Sequence, residues 1–205
     1  MILGYDDIKH YLETHKIEIK DINETTIREN GIDCRIGDTI AIDIPLWINS
    51  TKPTNTLAGV TTLATVTNLA QQEGKEVIDT HNLESVHKRF DLHKFSDSGE
   101  IIPAKTNILL VTKEEFLLPD DVMAFCCLRS TVARNGFISP ITIVDAGFQG
   151  TLTIESWYGG NNPIKIYKGD RFLHIVFAKI NSPVSKPYNG IYKGQTIVRL
   201  PKCIN

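Results

Sequence analysis

The second half of this chain is a series of short apolar runs cut by turn residues about every ten positions, and that rhythm narrows the fold more than any other feature. Ile108–Thr112 is one such run; Pro119-Asp120-Asp121 marks a turn, and Val122–Leu128 is the next run. Thr151–Trp157 alternates, with Leu152 and Ile154 on one face and Thr151, Thr153, Glu155 and Trp157 on the other. Gly159-Gly160-Asn161-Asn162-Pro163 predicts a turn, Ile164–Tyr167 a strand, Lys168-Gly169-Asp170 a second turn and Arg171–Phe177 a further strand. No β-α-β rhythm is present, which argues against a doubly wound sheet. The expectation is a mainly β protein, a distorted β-barrel or jelly-roll.

Two short helices interrupt the strands. Ile8, Tyr11 and Leu12 share one face at i, i+3, i+4 spacing and predict a helix over 5–15, with Asp6 or Asp7 able to cap its first turn. Ser130–Asn135 predicts one or two helical turns, with Gly136 as the left-handed stop. Between them, Ile17, Ile19 and Ile22 read as strand, and Ile40, Ile42 and Ile44 alternate until Pro45 ends the run. Residues 49–100 are polar and carry no legible pattern. His81, His87 and His93 recur every six residues there, which puts them on one face only if the segment is extended; a solvated face is the expectation, and no metal site.

A chain of 205 residues supports one sizeable core, so 1–205 is read as a single domain. Its net charge of −2 supplies no basic field for nucleic acid, and any phosphate binding must come from a few local cations. No apolar run approaches the roughly 20 residues of a membrane span, and the start M-I-L-G-Y-D-D lacks the pattern of a signal peptide; a cytoplasmic location is expected. Cys34, Cys126, Cys127 and Cys203 show no C-x-x-C spacing, so neither a zinc ribbon nor a disulfide framework is expected.

The residues that could do chemistry cluster between Arg129 and Glu155. Glu155 lies mid-strand, either as a solvent-facing carboxylate or, if its face is covered beside Trp157, as a base of raised pKa. Asp145 precedes Ala146-Gly147-Phe148-Gln149-Gly150: a turn Asp, or a site where backbone approaches a ligand closely. Ser130 and Arg134 are one helical turn apart, which fits either an N-cap serine with a surface arginine or, with Arg129, a phosphate grip.

These residues resemble the deoxycytidine triphosphate deaminases, a branch of the deoxyuridine triphosphatase superfamily. R-S-T-V-A-R-N-G-F at 129–137 and D-A-G-F-Q-G-T-L-T-I-E at 145–155 are similar to that family's two main blocks. N-G-I-D-C-R-I-G at 30–37, K-G-D-R at 168–171, P-Y at 187–188, Y-K-G-Q at 192–195 and the opening M-I-L follow in the family's order. The resemblance covers about residues 1–45 and 103–195 and only weakly 49–100. It implies a dUTPase-like distorted barrel and hydrolytic deamination of dCTP to dUTP and ammonia. By position, Glu155 matches the general base, Ser130 the hydroxyl that holds the attacking water, and Asp145 an Asp at the sugar end of the site. Arg129, Arg134, Tyr188 and Gln195 match positions that grip triphosphate or sugar. The phosphatase branch has an apolar residue where Glu155 stands, so Glu155 argues for deamination. The family builds its sites between subunits of a homotrimer, and magnesium would enter with the substrate triphosphate. A bifunctional enzyme yielding dUMP and pyrophosphate, a plain dUTPase and a non-catalytic nucleotide-binding relative remain alternatives.

Three departures stand out. Pro140-Ile141 replaces the family's T-A at the base pocket, Ile191 replaces a Lys, and His174 replaces a Gln. Backbone at Ile141 is still expected to fix the water and polarise the ring. The H-x-E and P-C-x-x-C signature of zinc deaminases is absent, so no zinc is expected.

Overall fold

The computed structural model describes residues 1–43 and 78–204. The predicted stop at Ile44-Pro45, and the part of the unreadable segment before residue 78, lie outside the described residues. Contacts divide the chain into two compact units: residues 1–42 with 92–199, and residues 43–91 with 200–205.

The larger unit is built on one long strand. After the helix α1 (Tyr5–Glu13) come short strands β1 (Glu18–Lys20) and β2 (Ile27–Arg28), then β3 (Gly31–Asp43). The predicted helix ends two residues early. At its start the Asp7 carboxylate reaches back 3.1 Å to accept from Gly4 N, as an N3 acid in a capping box does, and Ile8 is the buried anchor. The next strands are β4 (Phe90–Lys94), β5 (Glu100–Ile102), β6 (Thr106–Thr112), β7 (Glu115–Leu117) and β8 (Val122–Leu128). The short helix α3 (Ser130–Arg134) follows β8 in the chain; α2 (Leu83–Lys88) belongs to the smaller unit. The chain closes with β9 (Phe137–Ile138), β10 (Thr142–Val144), β11 (Gln149–Gly150), β12 (Thr153–Tyr158), β13 (Ile164–Ile166) and β14 (Arg171–Lys179).

The main sheet runs β10-β8-β14-β3-β6-β12-β9. β3 turns its corner: Ile32–Arg35 pair with β14, Ile36–Ile42 pair with β6, and the register slips between Ile36 and Ile40. Such a slip bends a strand and lets one sheet curl toward a barrel. Ile40 and its neighbour Ala41 are both buried, so the simple in–out alternation read from sequence fails there; a corner strand is covered on both faces. Inside the curl pack Ile32, Ile40, Ile108, Ile154, Phe172 and Phe177, all nearly inaccessible. Burying each such side chain is worth about 1.5–3 kcal/mol, which makes this layer the main source of stability. A second sheet, β1-β7-β11, and the pair β13-β5 complete the unit. The mainly β, curled-sheet architecture expected from the turn rhythm is the one observed.

In the smaller unit, Asn82 caps α2 by accepting from Ser85 N at 3.2 Å. His87 Nε2 meets Pro201 O at 2.8 Å, and Arg89 pairs with Asp43. No helix among the described residues is long and apolar enough to cross a membrane.

Candidate active site

Arg129 has extended backbone (φ −62°, ψ 142°) and is the N-cap of α3, with no side-chain capping bond. Ser130 is therefore the first helical residue and not the cap, and its hydroxyl is left exposed. Arg134, one turn on, ends the helix, and Gly136 (φ 94°) turns the chain back into β9. β9 lies antiparallel against β12, with Ile138 opposite Trp157 and Phe137 opposite Tyr158. Glu155 is two positions along β12 from Trp157 and shares its face. Arg129, Ser130 and Arg134 are thus carried by α3 and its cap, and Glu155 by β12. From β9 the chain crosses to β10 at the other edge, and Ile141 lies on that crossing, 73% exposed.

Glu155 is exposed, stands opposite Leu109 of β6, and makes no ion pair or hydrogen bond among the described residues. The cover that sequence reading allowed for is not provided by the described residues. Ser156, the next residue, points the opposite way into the core.

On the central strands β3 and β14 is a cluster that the sequence reading did not assign. Asp33 on β3 is 3% exposed. Its Oδ2 lies 3.0 Å from Arg129 Nε, 3.6 Å from Arg171 Nη1 and 3.8 Å from Arg28 Nε, while Oδ1 lies 3.0 Å from His174 Nδ1. A carboxylate oxygen only accepts, so Nδ1 carries the proton. The guanidiniums surround Oδ2 as ion pairs outside hydrogen-bonding directions. Arg129 is also fixed through its backbone, Arg129 N donating to Phe172 O at 2.9 Å, and through Nη1, which donates to Arg171 O at 3.3 Å. The residue preceding Ser130 is therefore held by a buried carboxylate. The signal was present in N-G-I-D-C-R-I-G, K-G-D-R and His174, but only cross-strand register shows that they converge: β14 pairs His174 with Asp33.

The other predicted residues sit elsewhere. Asp145 is exposed at the entrance of the turn before β11. Gly147 (φ 83°) and Gly150 (φ 124°) follow, and a Cβ at either would strike the segment 187–195, at 2.5 Å from Pro187 Cβ or 2.7 Å from Gln195 O. Sequence reading allowed these glycines to admit a ligand; in the single chain they admit the protein's own backbone. Tyr188 N donates to Ala146 O at 2.9 Å and the Tyr188 ring packs 5.6 Å from that of Phe148. Gln195 is buried, and its Nε2 donates to Thr151 O at 2.7 Å while Oε1 has no partner among the described residues. Arg129, Ser130 and Arg134 thus lie on α3 and its cap, Glu155 on β12, and Asp145, Tyr188 and Gln195 about the β11 turn and the segment 187–195 that packs on it.

The three evenly spaced histidines do not share a face. His81 is exposed, His87 lies in α2, and His93 in β4 approaches Glu100 at 3.4 Å. Of the adjacent cysteines, only Cys126 is buried; Cys127 faces outward, because neighbours on a strand alternate. Burial pushes the Cys126 thiol up to about 12 and raises Cys34 and Cys127 for the same reason.

A family profile described as dCTP deaminase-like matches residues 56–180. A dCTP deaminase of Korarchaeum cryptofilum is 41% identical over 98% of each chain, and one of Acidianus ambivalens is 42% identical over the same shares. A probable deoxyuridine 5'-triphosphate nucleotidohydrolase of Sulfolobus islandicus rod-shaped virus 1 is 39% identical, over 98% of this chain and 99% of its own. Among solved structures, a 2'-deoxycytidine 5'-triphosphate deaminase from Agrobacterium tumefaciens superposes with a TM-score of 0.56 at 17% identity. That match covers 86% of this chain, which spans about half (47%) of the solved chain, and it speaks to the fold alone.

Proposed function

The chain belongs to the dCTP deaminase-like family, and on that premise we infer that it hydrolyses dCTP to dUTP and ammonia, a step of pyrimidine deoxynucleotide metabolism. What supports the mechanism is an exposed Glu155 carboxylate with no side-chain partner among the described residues, together with the exposed Ser130 hydroxyl at the start of α3.

Ser130 holds a water, and Glu155 takes one of its protons as the oxygen adds to carbon 4 of the cytosine. Glu155 returns that proton to the ring nitrogen; the tetrahedral carbon then expels ammonia with a second proton shuttled from the added hydroxyl by the same carboxylate. A zinc-bound water has its pKa lowered from about 15.7 to about 7. Without that aid, desolvation of Glu155 and backbone polarisation of the ring near Ile141 must supply the gain. Arg129 and Arg134 would draw the triphosphate to α3, with Asp145, Tyr188 and Gln195 meeting sugar and phosphates from the β11 turn and the segment 187–195. Magnesium would arrive on the triphosphate, whose oxygens suit a hard cation that dehydrates reluctantly.

An exposed Glu155 and candidate site residues spread over separate elements support assembly as a homotrimer with sites between subunits. So does an apolar patch at the sheet edge: Phe125 and Ile143 are cross-strand partners and are 37% and 53% exposed, and Ile141 adjoins them in sequence. A triphosphate does not cross bilayers, so the cytoplasm is the working location. A second reading is favoured by the viral relative's name: Asp145, exposed and without an ion pair among the described residues, could activate a water against the α-phosphate after deamination.

The test is to incubate dCTP and magnesium with the protein, resolve the nucleotides and measure ammonia. Accumulating dUTP with equimolar ammonia is expected. Formation of dUMP and pyrophosphate would establish the second reading, and absence of ammonia would overturn both.

A further inference from the structure

The face of β12 that carries Glu155 also carries one aromatic ring, Trp157, two residues on. Tyr158 turns the other way, into the core, and its hydroxyl donates to Asn162 O at 2.7 Å. Trp157 is only half-buried, and its indole N–H makes no hydrogen bond among the described residues. The ring is nonetheless seated. Its Nε1 edge lies against Gly159, where an added Cβ would sit 3.2 Å away, closer than ordinary contact. Gly159 is itself held from two sides: its N donates to Gly136 O at 2.8 Å, at the exit of α3, and its O accepts from Lys105 Nζ.

Across the ladder, Trp157 stands opposite Ile138 of β9, which is 65% exposed, and opposite Asn107 of β6. This end of β12 therefore presents an aromatic and aliphatic surface next to a carboxylate that has no partner among the described residues. Successive side chains on one face of a strand stand about 7 Å apart. A flat heterocycle laid on the indole reaches the Glu155 carboxylate with its edge. Stacking of a base on an aromatic side chain tolerates any base, because every base has a π-face. It suits a grip on the pyrimidine ring while Glu155 acts at carbon 4.

We propose that Trp157 is a substrate-contacting residue, on whose indole the cytosine ring of dCTP stacks with carbon 4 toward Glu155. The inference rests on the proposed deamination of dCTP and names the surface that receives the base. The stacked ring covers a carboxylate that the described residues leave in water, and so supplies part of the desolvation its action as a base requires. Trp157 thus acts on the base of the nucleotide and not on its phosphates.

The chain has two tryptophans, Trp47 and Trp157. Trp47→Phe leaves Trp157 as the sole indole, and Glu155→Gln on that background slows turnover, so intrinsic fluorescence reads Trp157 while dCTP stays intact. Saturable quenching by dCTP is expected, with none by sodium tripolyphosphate, which brings the charges without the base. Quenching by tripolyphosphate to the same extent, or none by dCTP, would overturn the stacking. In the otherwise wild-type chain, Trp157→Ala should raise KM for dCTP about tenfold and change kcat less, and Trp157→Phe, which keeps an aromatic face, should restore most of the affinity. An unchanged KM would overturn the proposal. Loss of assembly in Trp157→Ala, seen by light scattering, with an indole indifferent to dCTP would replace it with a subunit contact. The fluorescence measurement leaves Trp157 in place, so it decides even if Trp157→Ala does not fold. Ammonia release by the wild type in the same buffer separates the two failures. Release with an indifferent indole removes only the stacking, whereas no release removes the deamination reading and the stacking with it.

Discussion

Asp33 and Glu155 are both carboxylates on strands of the same curled sheet, and their surroundings are opposite. Asp33 is buried and ringed by Arg28, Arg129, Arg171 and His174; Glu155 is exposed and unpaired among the described residues. A buried carboxylate ringed by three guanidiniums holds its neighbours in place. One with no partner can exchange a proton, provided something later removes it from water. The first is finished within one chain, and the second awaits a substrate and a neighbouring surface. The same change, acid to amide, should therefore act in opposite ways at the two positions.

The largest effect is expected at the open carboxylate. Glu155→Gln should lower kcat for dCTP by about 10²–10⁴-fold, the usual worth of a general base, with thermal stability almost unchanged because the side chain is exposed and unpaired. At the enclosed carboxylate, Asp33→Asn leaves partly exposed guanidiniums without their counter-charge and a buried amide in place of a buried acceptor. It should destabilise the fold by about 1–3 kcal/mol, read by urea denaturation, and an unaltered midpoint would remove Asp33 from its structural role. Between these positions lies Gly150, where φ is 124° and a Cβ meets Gln195 backbone. Gly150→Ala should cost about 1–3 kcal/mol and release the segment 187–195 to proteolysis. Ser130→Ala, which removes one hydrogen bond to the attacking water, should slow turnover about tenfold and leave the denaturation midpoint in place.

The smallest effect concerns the adjacent cysteines, the same contrast on a finer scale. Burial raises the folded-state pKa of Cys126 from 9.0 to about 12, and that of Cys34 in the same direction. A raised thiol pKa contributes stability that is fully present below pH 9 and lost as pH rises through the folded value. Unfolding free energy should therefore fall between about pH 9 and 12, less steeply in Cys126→Ala. In the native state a thiol reagent should modify Cys127 and spare Cys126.

Much of the fold was readable because turn chemistry is local. Pro119-Asp120-Asp121, Lys168-Gly169-Asp170 and Gly136 marked ends that the strands and α3 keep within a few residues. The corner in β3 was not readable, since the register slip between Ile36 and Ile40 is set by two different partner strands. The site divides along the same line. Ser130, Arg134 and Glu155 could be singled out as candidates because their spacing within the sequence carries the signal. The Asp33 cluster was missed because its members span residues 28 to 174 and only sheet register brings them together. The glycines of the Asp145 turn were noticed, but what they make room for, the segment 187–195, lies some forty residues away.

The most direct test of the account is ammonia release from dCTP by wild-type protein and Glu155→Gln, each with its melting temperature measured in the same buffer. The account predicts equimolar dUTP and ammonia from the wild type, and a variant that melts at the same temperature while releasing ammonia at least a hundredfold more slowly. A folded variant with near-normal release would contradict it and return Glu155 to the status of a surface carboxylate.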